Sequence, residues 1–299
     1  SNGNVYIGSD MLYCLDGKTG AKKWESNIGK GASPAIGHDG RIYIASNGLA
    51  YALNSQNGET IWESSNSGFS SKHAVPAIGS NGNVYIGSAM LYCLDGKTGA
   101  KKWGSKIAQS GPVNVADYSP VVGFDGIILM GGKNGKLYAI KGNTGEQAWV
   151  FTIPEHPLLG SNRITGSPVI GPDGTVYVGT TVPDSKVYAL DGKSGKKFWE
   201  NNSVGSIWSS PAISSDGTLF VENYALDAKT GVEKWRFVTK GGRSISMNSS
   251  PVIGTDGTLY ISSLNNNVYA FETDCGGPAK SPWPMRGQNP QHTGRAPKE

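Results

Sequence analysis

The chain writes one segment twice. Residues 1–26 read SNGNVYIGSDMLYCLDGKTGAKKWES and residues 80–105 read SNGNVYIGSAMLYCLDGKTGAKKWGS, differing only at Asp10/Ala89 and Glu25/Gly104. Such a chain folds as copies of one supersecondary unit, each burying against its neighbours an apolar face that it cannot bury alone. The copies begin 79 residues apart with a looser version of the pattern between them, so they are two units apart and not one.

The unit is marked at both ends. Trp24, Trp62, Trp103, Trp149, Trp199, Trp235 and Trp283 each close one, which uses seven of the eight tryptophans and leaves Trp208. Six units begin with a small residue and proline, at Pro34, Pro76, Pro120, Pro168, Pro211 and Pro251. A turn follows at Asp39-Gly40, Asn81-Gly82, Asp125-Gly126, Asp173-Gly174, Asp216-Gly217 and Asp256-Gly257, and nine residues after each proline comes a strand residue such as Tyr43, Tyr85 or Phe220. Asp-Gly and Asn-Gly pairs between apolar runs are hairpin signals, because glycine accepts the positive φ of the turn. A third run like LYAL and a second turn like DGKTG lead to the tryptophan, four residues after the last glycine of that turn. Each unit is therefore four short antiparallel strands, A to D, with proline tolerated at the start of A. Units of this kind at this period predict an all-β chain folded as a seven-bladed β-propeller. The closing tryptophans are expected to be structural, each ring buried between neighbouring blades with a partner for its N–H.

The propeller is expected over residues 1–283, followed by a tail at 284–299. The first unit lacks strand A, since Ser1-Asn2-Gly3 already corresponds to the A–B turn, and Ala296-Pro297 falls where a Ser-Pro is due. The tail is expected to close the ring by supplying or bracing that strand.

Composition narrows the function classes. A net charge of +4, from 27 basic and 23 acidic residues, with many lysines placed in recurring turns, gives no basic stripe for nucleic acid. No apolar run approaches the roughly 20 residues of a membrane helix, and no charged-then-apolar leader is read at Ser1; a soluble monomer is expected. Cys14 and Cys93 hold a place that is usually alanine (Ala52, Ala139, Ala189, Ala270), which suits a small buried strand residue, and Cys275 in TDCGGP is expected to be a free thiol. The four histidines are widely separated, so no metal site is read. The DGKTG turns are better explained by Asp-initiated turn bonding than by calcium. GGKNGK around Lys133 lies in a strand-to-strand turn and not before a helix, and no GxSxG elbow is present.

Loop lengths separate the two ends of the propeller. A–B and C–D turns have fixed spacing, whereas tryptophan to next proline runs 10, 14, 17, 19, 12 and 16 residues, and B–C links range from VENYA to VGTTVPDSKVY. Variable loops on a rigid scaffold are where binding concentrates. Counting back three from the prolines places His73, Asp117, Thr165, Trp208 and Asn248 around the channel mouth, with Tyr118, Arg163 and Arg243 on the same face. These eight are the candidate ligand-binding residues: an aromatic plate, a carboxylate, an imidazole, an amide, and arginines suited to a carboxylate or phosphate.

The units SPAIGHDGRIYIAS, SPVIGPDGTVYVGT and SPVIGTDGTLYISS, each followed by a YALD-like strand and TG-xxx-W, resemble the pyrroloquinoline-quinone (PQQ) repeats of quinoprotein dehydrogenases and of BamB-like outer-membrane assembly lipoproteins. The resemblance implies a propeller and an extracellular or periplasmic location in a bacterial or archaeal cell. It does not by itself imply an activity. In the enzymes of the family a stacking tryptophan, acidic and amide calcium ligands and often a vicinal disulfide hold PQQ; here there is no Cys-Cys pair and seven units stand in place of eight, although Trp208, Asp117 and Asn248 imitate parts of such a site. The expected function is a noncatalytic scaffold that binds a protein, saccharide or small molecule on the D–A and B–C loop face, with no cofactor. The alternatives are a PQQ- and calcium-dependent oxidoreductase, or a polysaccharide lyase or hydrolase built from residues such as His73, Asp117, Tyr118 and Arg163.

Overall fold

Across each of the first six blades runs a row of three residues that explains why the unit is written as it is. Tyr6, Cys14 and Trp24 stand side by side on adjacent strands, as do Tyr43, Ala52 and Trp62, Tyr85, Cys93 and Trp103, and Tyr177, Ala189 and Trp199. The small central residue lets the two aromatic rings meet over it, with centroids 5.8 to 6.0 Å apart and planes tilted by 40 to 44°. Cys14 and Cys93 are fully buried there, and burial pushes the Cys93 thiol up to about 12, so neither is a reactive nucleophile. All three cysteines are unbridged, and Cys275 is buried.

The computed structural model describes residues 3–28, 32–64, 75–87, 90–106, 119–132, 134–154, 163–164, 166–237, 249–263, 267–289 and 293–297. These form seven antiparallel sheets set as blades in a ring. The second to sixth blades have four strands each, with innermost strands Ala35–Ile36, Ala77–Ile78, Val121–Val122, Val169–Ile170 and Ala212–Ile213. The first blade (Asn4–Gly8, Leu12–Asp16, Lys22–Ser26) and the seventh (Val252–Ile253, Leu259–Ser262, Val268–Phe271) have three strands among the described residues. The only described helical turn is the 3-10 segment Phe124–Gly126, and no described helix is long and apolar enough to cross a membrane.

Blades are joined by a clasp between tryptophan and glycine. The indole N–H of Trp24 donates to the carbonyl of Ser55, Trp62 to Gly96, Trp103 to Gly142, Trp149 to Gly192 and Trp199 to Ala228, at 2.9 to 3.2 Å and always in the C–D turn of the next blade. The last glycine of that same turn lies flat on the ring: a Cβ on Gly58, Gly99, Gly145, Gly195 or Gly231 would fall 2.6 to 2.7 Å from it. Each of these glycines also has φ between +71° and +77°. Two constraints, a left-handed turn and an aromatic ring at contact distance, therefore fix one residue type. The turn holds itself: Asp16, Asp95 and Asp191 each accept from the backbone N–H groups two and three residues on, and Asp227 from that of Thr230.

The seventh unit departs from the pattern. After Phe271 the chain leaves its own sheet and runs beside the sixth blade, where Ser215 N–H donates to the Gly277 carbonyl and Ala279 N–H to the Ile213 carbonyl. Trp283 accordingly lies away from any D strand; it is buried in the interior, its carbonyl accepting from Ile170 N–H. The tail then crosses the channel: Ile213 N–H donates to the Pro284 carbonyl, Ile36 N–H to that of Thr293 and Ile78 N–H to that of Gly294, at 2.7 to 2.8 Å. Arg295 Nη1 donates to the Gly37 carbonyl, and Met285, Thr293 and Ala296 are buried. This differs from the expected place beside the first blade. The innermost strands expose a row of unpaired N–H groups to the channel, each worth about 1 kcal/mol when bonded, and Trp283 together with the tail satisfies those of four blades.

Between the seventh and first blades no such clasp is formed among the described residues. Val5 and Ile7 of the first blade are 45% exposed, whereas the corresponding Ile42, Ile44, Val84, Ile86, Val176 and Val178 are buried. On the seventh blade Tyr260 is 42% and Val268 74% exposed, against buried Tyr43, Tyr85, Leu91 and Val187 elsewhere. The two faces that look towards each other across this junction are both open among the described residues.

The clasp predicts a contrast between two glycines of similar backbone. Gly99→Ala places a methyl in the Trp62 ring and strains a φ of +75°, and is expected to lower stability by about 2–5 kcal/mol. Gly217→Ala, at φ +79° with open space around it, is expected to cost only the backbone strain of about 1–2 kcal/mol. Urea unfolding of both variants measures the difference.

Candidate functional site

Of the eight residues proposed from the sequence, His73, Asp117, Tyr118, Thr165, Arg243 and Asn248 lie outside the described residues. Arg163 and Trp208 are described and both are exposed, Trp208 to 54%. The structure brings these two to the flanks of a single loop, the B–C connection of the fifth blade.

That loop runs from Thr180 to Lys186 and is bonded on both sides. Thr181 N–H donates to the Arg163 carbonyl at 3.1 Å, while Ile207 N–H donates to the Thr180 carbonyl at 3.0 Å and Val182 N–H to Ser206 Oγ at 3.3 Å. Arg163 thus arrives from the connection before the fifth blade and Trp208 from the connection after it. Inside the loop, Asp184 accepts from Thr180 Oγ1 at 2.8 Å and from the Tyr188 hydroxyl at 3.0 Å, and burial with the Asp184 charge drives the Tyr188 phenol well above its usual range. Lys186 Nζ pairs with Glu200 at 2.7 Å, which raises the ammonium and lowers the carboxyl through their mutual bond. The loop carries Val182 at its tip, exposed like Trp208, ahead of a cis Val182-Pro183 bond.

Trp208 is held from beneath by a residue that is not among the eight sequence candidates. Glu222 occupies the short turn between Thr218–Val221 and Tyr224–Asp227, with φ of +50°, and is buried. Its Oε1 accepts from Trp208 N–H at 2.8 Å, from Ser209 N–H at 3.1 Å and from Ser209 Oγ at 3.1 Å. The neighbouring Asn223 donates from Nδ2 to the Phe237 carbonyl and so locks the turn. The brevity of VENYA is the one sequence signal for this arrangement: a two-residue turn has no room to swing the carboxylate outward.

Chemically the patch is a rigid apolar and cationic surface. It offers an indole, an isopropyl group and a guanidinium. Two interblade grooves, of about 450 and 310 Å3, lie elsewhere, between the fifth and sixth and the sixth and seventh blades at the end that carries the fixed turns. Of the residues that imitate a PQQ and calcium site, Asp117 and Asn248 lie outside the described residues and Trp208 alone is described. Glu222 Oε1 is already committed to three donors, and no three His, Cys, Asp or Glu side chains converge among the described residues.

Burial raises the Glu222 carboxyl above its ordinary value of 4.5 against the three hydrogen bonds that lower it. A raised folded value means that the folded state binds more protons than the unfolded one just above pH 4.5, so this residue's contribution to stability falls as pH rises through that window. Glu222→Gln keeps an acceptor and is expected to flatten the wild-type slope there. Glu222→Ala strands buried N–H groups and is expected to cost about 2–3 kcal/mol at neutral pH. Urea melts between pH 4 and 8 measure both.

Comparison with known proteins agrees with this architecture. The family described as outer membrane protein assembly factor BamB, of PQQ-repeat type, matches residues 1–149 and 133–278. BamB of Xanthomonas campestris pv. campestris is 25% identical over 285 residues, covering 76% of this chain and 69% of that protein, and BamB of Yersinia pestis is 25% identical over 251 residues, covering 75% and 61%. The chain therefore spans about two thirds or less of these relatives' lengths. Lupanine 17-hydroxylase [cytochrome c] of a Pseudomonas species shares 30% identity over 142 residues, 40% of this chain and 20% of that enzyme. The crystal structure of BamB from Moraxella catarrhalis has the same fold, with a TM-score of 0.64 at 21% identity over 90% of this chain and 81% of that one. With its blade pattern matched along more than half its length, the chain belongs to the BamB family of PQQ-repeat β-propellers.

Proposed function

We propose that this chain is a noncatalytic scaffold for protein binding in outer membrane protein assembly, the role that its relatives' name states for them, and that it docks through Trp208, Val182 and Arg163. The observation that carries the reading is the pairing of exposure with rigidity. Trp208 stands in solvent while its backbone is clamped by a buried carboxylate. Tryptophan and arginine are the residue types most enriched among those that dominate protein interfaces, and a preformed platform avoids the entropy of ordering a loop on binding. The opposite end suits this division of labour, because the tail crosses the channel there. An exported location at the cell envelope follows from the reading.

A photo-crosslinking amino acid at position 208 tests it in a bacterium lacking its own BamB, with the same probe at Lys193 on the fixed-turn face as reference. A defined protein adduct in the envelope is expected from 208 and not from 193, and Arg163→Ala is expected to reduce its yield at least fivefold. Equal adducts from both positions, or none from 208, contradict the assignment.

A further inference from the structure

The clasp that covers five tryptophans is missing from the sixth. Trp235 of the sixth blade has the same place as Trp199 of the fifth, opposite Ala225 as Trp199 is opposite Ala189. Trp199 gives its indole N–H to Ala228 and lies under Gly231. Trp235 faces ETDCGG instead of DAKTG; its glycines are drawn away, Gly276 lying against Ser215, and among the described residues its indole N–H has no acceptor. The ring is left 36% exposed on the wall of the 310 Å3 groove between the sixth and seventh blades.

The charge of that groove is reversed as well. At the junction of the fifth and sixth blades the turn brings Lys229 to the tryptophan, and the same turn position is Lys18, Lys97 and Lys193 in other blades. At the sixth and seventh that position is Asp274, while Glu272 stands where the other turn has Asp227; both are exposed and neither accepts a hydrogen bond among the described residues. The groove also contains Asp216 and Lys234, but these neutralise each other: Lys234 Nζ lies 3.7 Å from Asp216 Oδ2 and bonds Thr218 Oγ1 at 2.8 Å. Two uncompensated carboxylates thus sit beside an indole that packs against Phe220 and Phe237 but lacks the glycine cover of the other blades and, among the described residues, has no acceptor for its N–H.

We propose that this groove receives an arginine side chain of a partner polypeptide. A guanidinium is planar, stacks on an indole face, and pairs with carboxylates through its fork of N–H groups. The peptide backbone that carries it supplies a carbonyl for the Trp235 N–H. The site lies at the fixed-turn end, away from Trp208, so it stands or falls apart from the docking patch described above.

Calorimetric titration with acetyl-Gly-Arg-Gly-amide tests it, with the citrulline peptide as the neutral isostere and the lysine peptide as the point-charge control. The arginine peptide is expected to bind at least tenfold more tightly than either. Glu272→Gln with Asp274→Asn, two exposed changes whose thermal melt checks the fold, is expected to weaken it at least tenfold, and 0.5 M salt is expected to weaken it in wild type. Failure of the arginine peptide to bind, equal binding of citrulline or lysine, or an unaffected double variant overturns the proposal.

Discussion

Everything in this molecule depends on seating the tryptophan of one blade against the glycine of the next. A buried indole removes a large apolar area from water, and truncating one in a core costs about 3–5 kcal/mol. Here the ring gains a second function, because its N–H is satisfied only by the neighbouring blade's turn. One residue therefore couples hydrophobic burial to blade order. The glycine that meets it leaves no tolerance for a side chain, so the spacing TG-xxx-W records an interface between blades as well as a turn within one.

That coupling produces two unlike ends. The fixed turns are consumed in holding blades together, and the channel between them is crossed by Trp283 and the tail, which together bond the innermost strands of the second, third, fifth and sixth blades. The loops at the other end have no such duty. They are free to differ in length, and in the fifth and sixth blades they are braced by short polar contacts around Thr180, Asp184 and Glu222. Where the clasp fails, at the seventh blade, apolar faces that are hidden elsewhere come to the surface.

The sequence revealed the blades because each local signal repeats and each has a single physical meaning: Asp-Gly for the hairpin, alanine or cysteine between two aromatics, glycine before tryptophan. It misplaced what does not repeat. Trp283 follows a proline-rich run at roughly the right distance and so reads as one more closing residue, but ETDCGG cannot form the DGKTG turn and the chain leaves the sheet before reaching it. The tail's path was hidden because it is held chiefly through backbone carbonyls, which carry no side-chain signature. On the loop face, Trp208 was legible as the one tryptophan without a place in the repeat. The role of Glu222 was not, since a carboxylate turned inward looks in sequence like any exposed loop acid.

The most direct test of the account is hydrogen exchange at the indole N–H protons, resolved by assigning the tryptophan side chains in an NMR spectrum. Slow exchange at Trp24, Trp62, Trp103, Trp149 and Trp199, with exchange at least a hundredfold faster at Trp235, is what five formed clasps and one missing clasp require. Protection of Trp235 equal to the other five would contradict it.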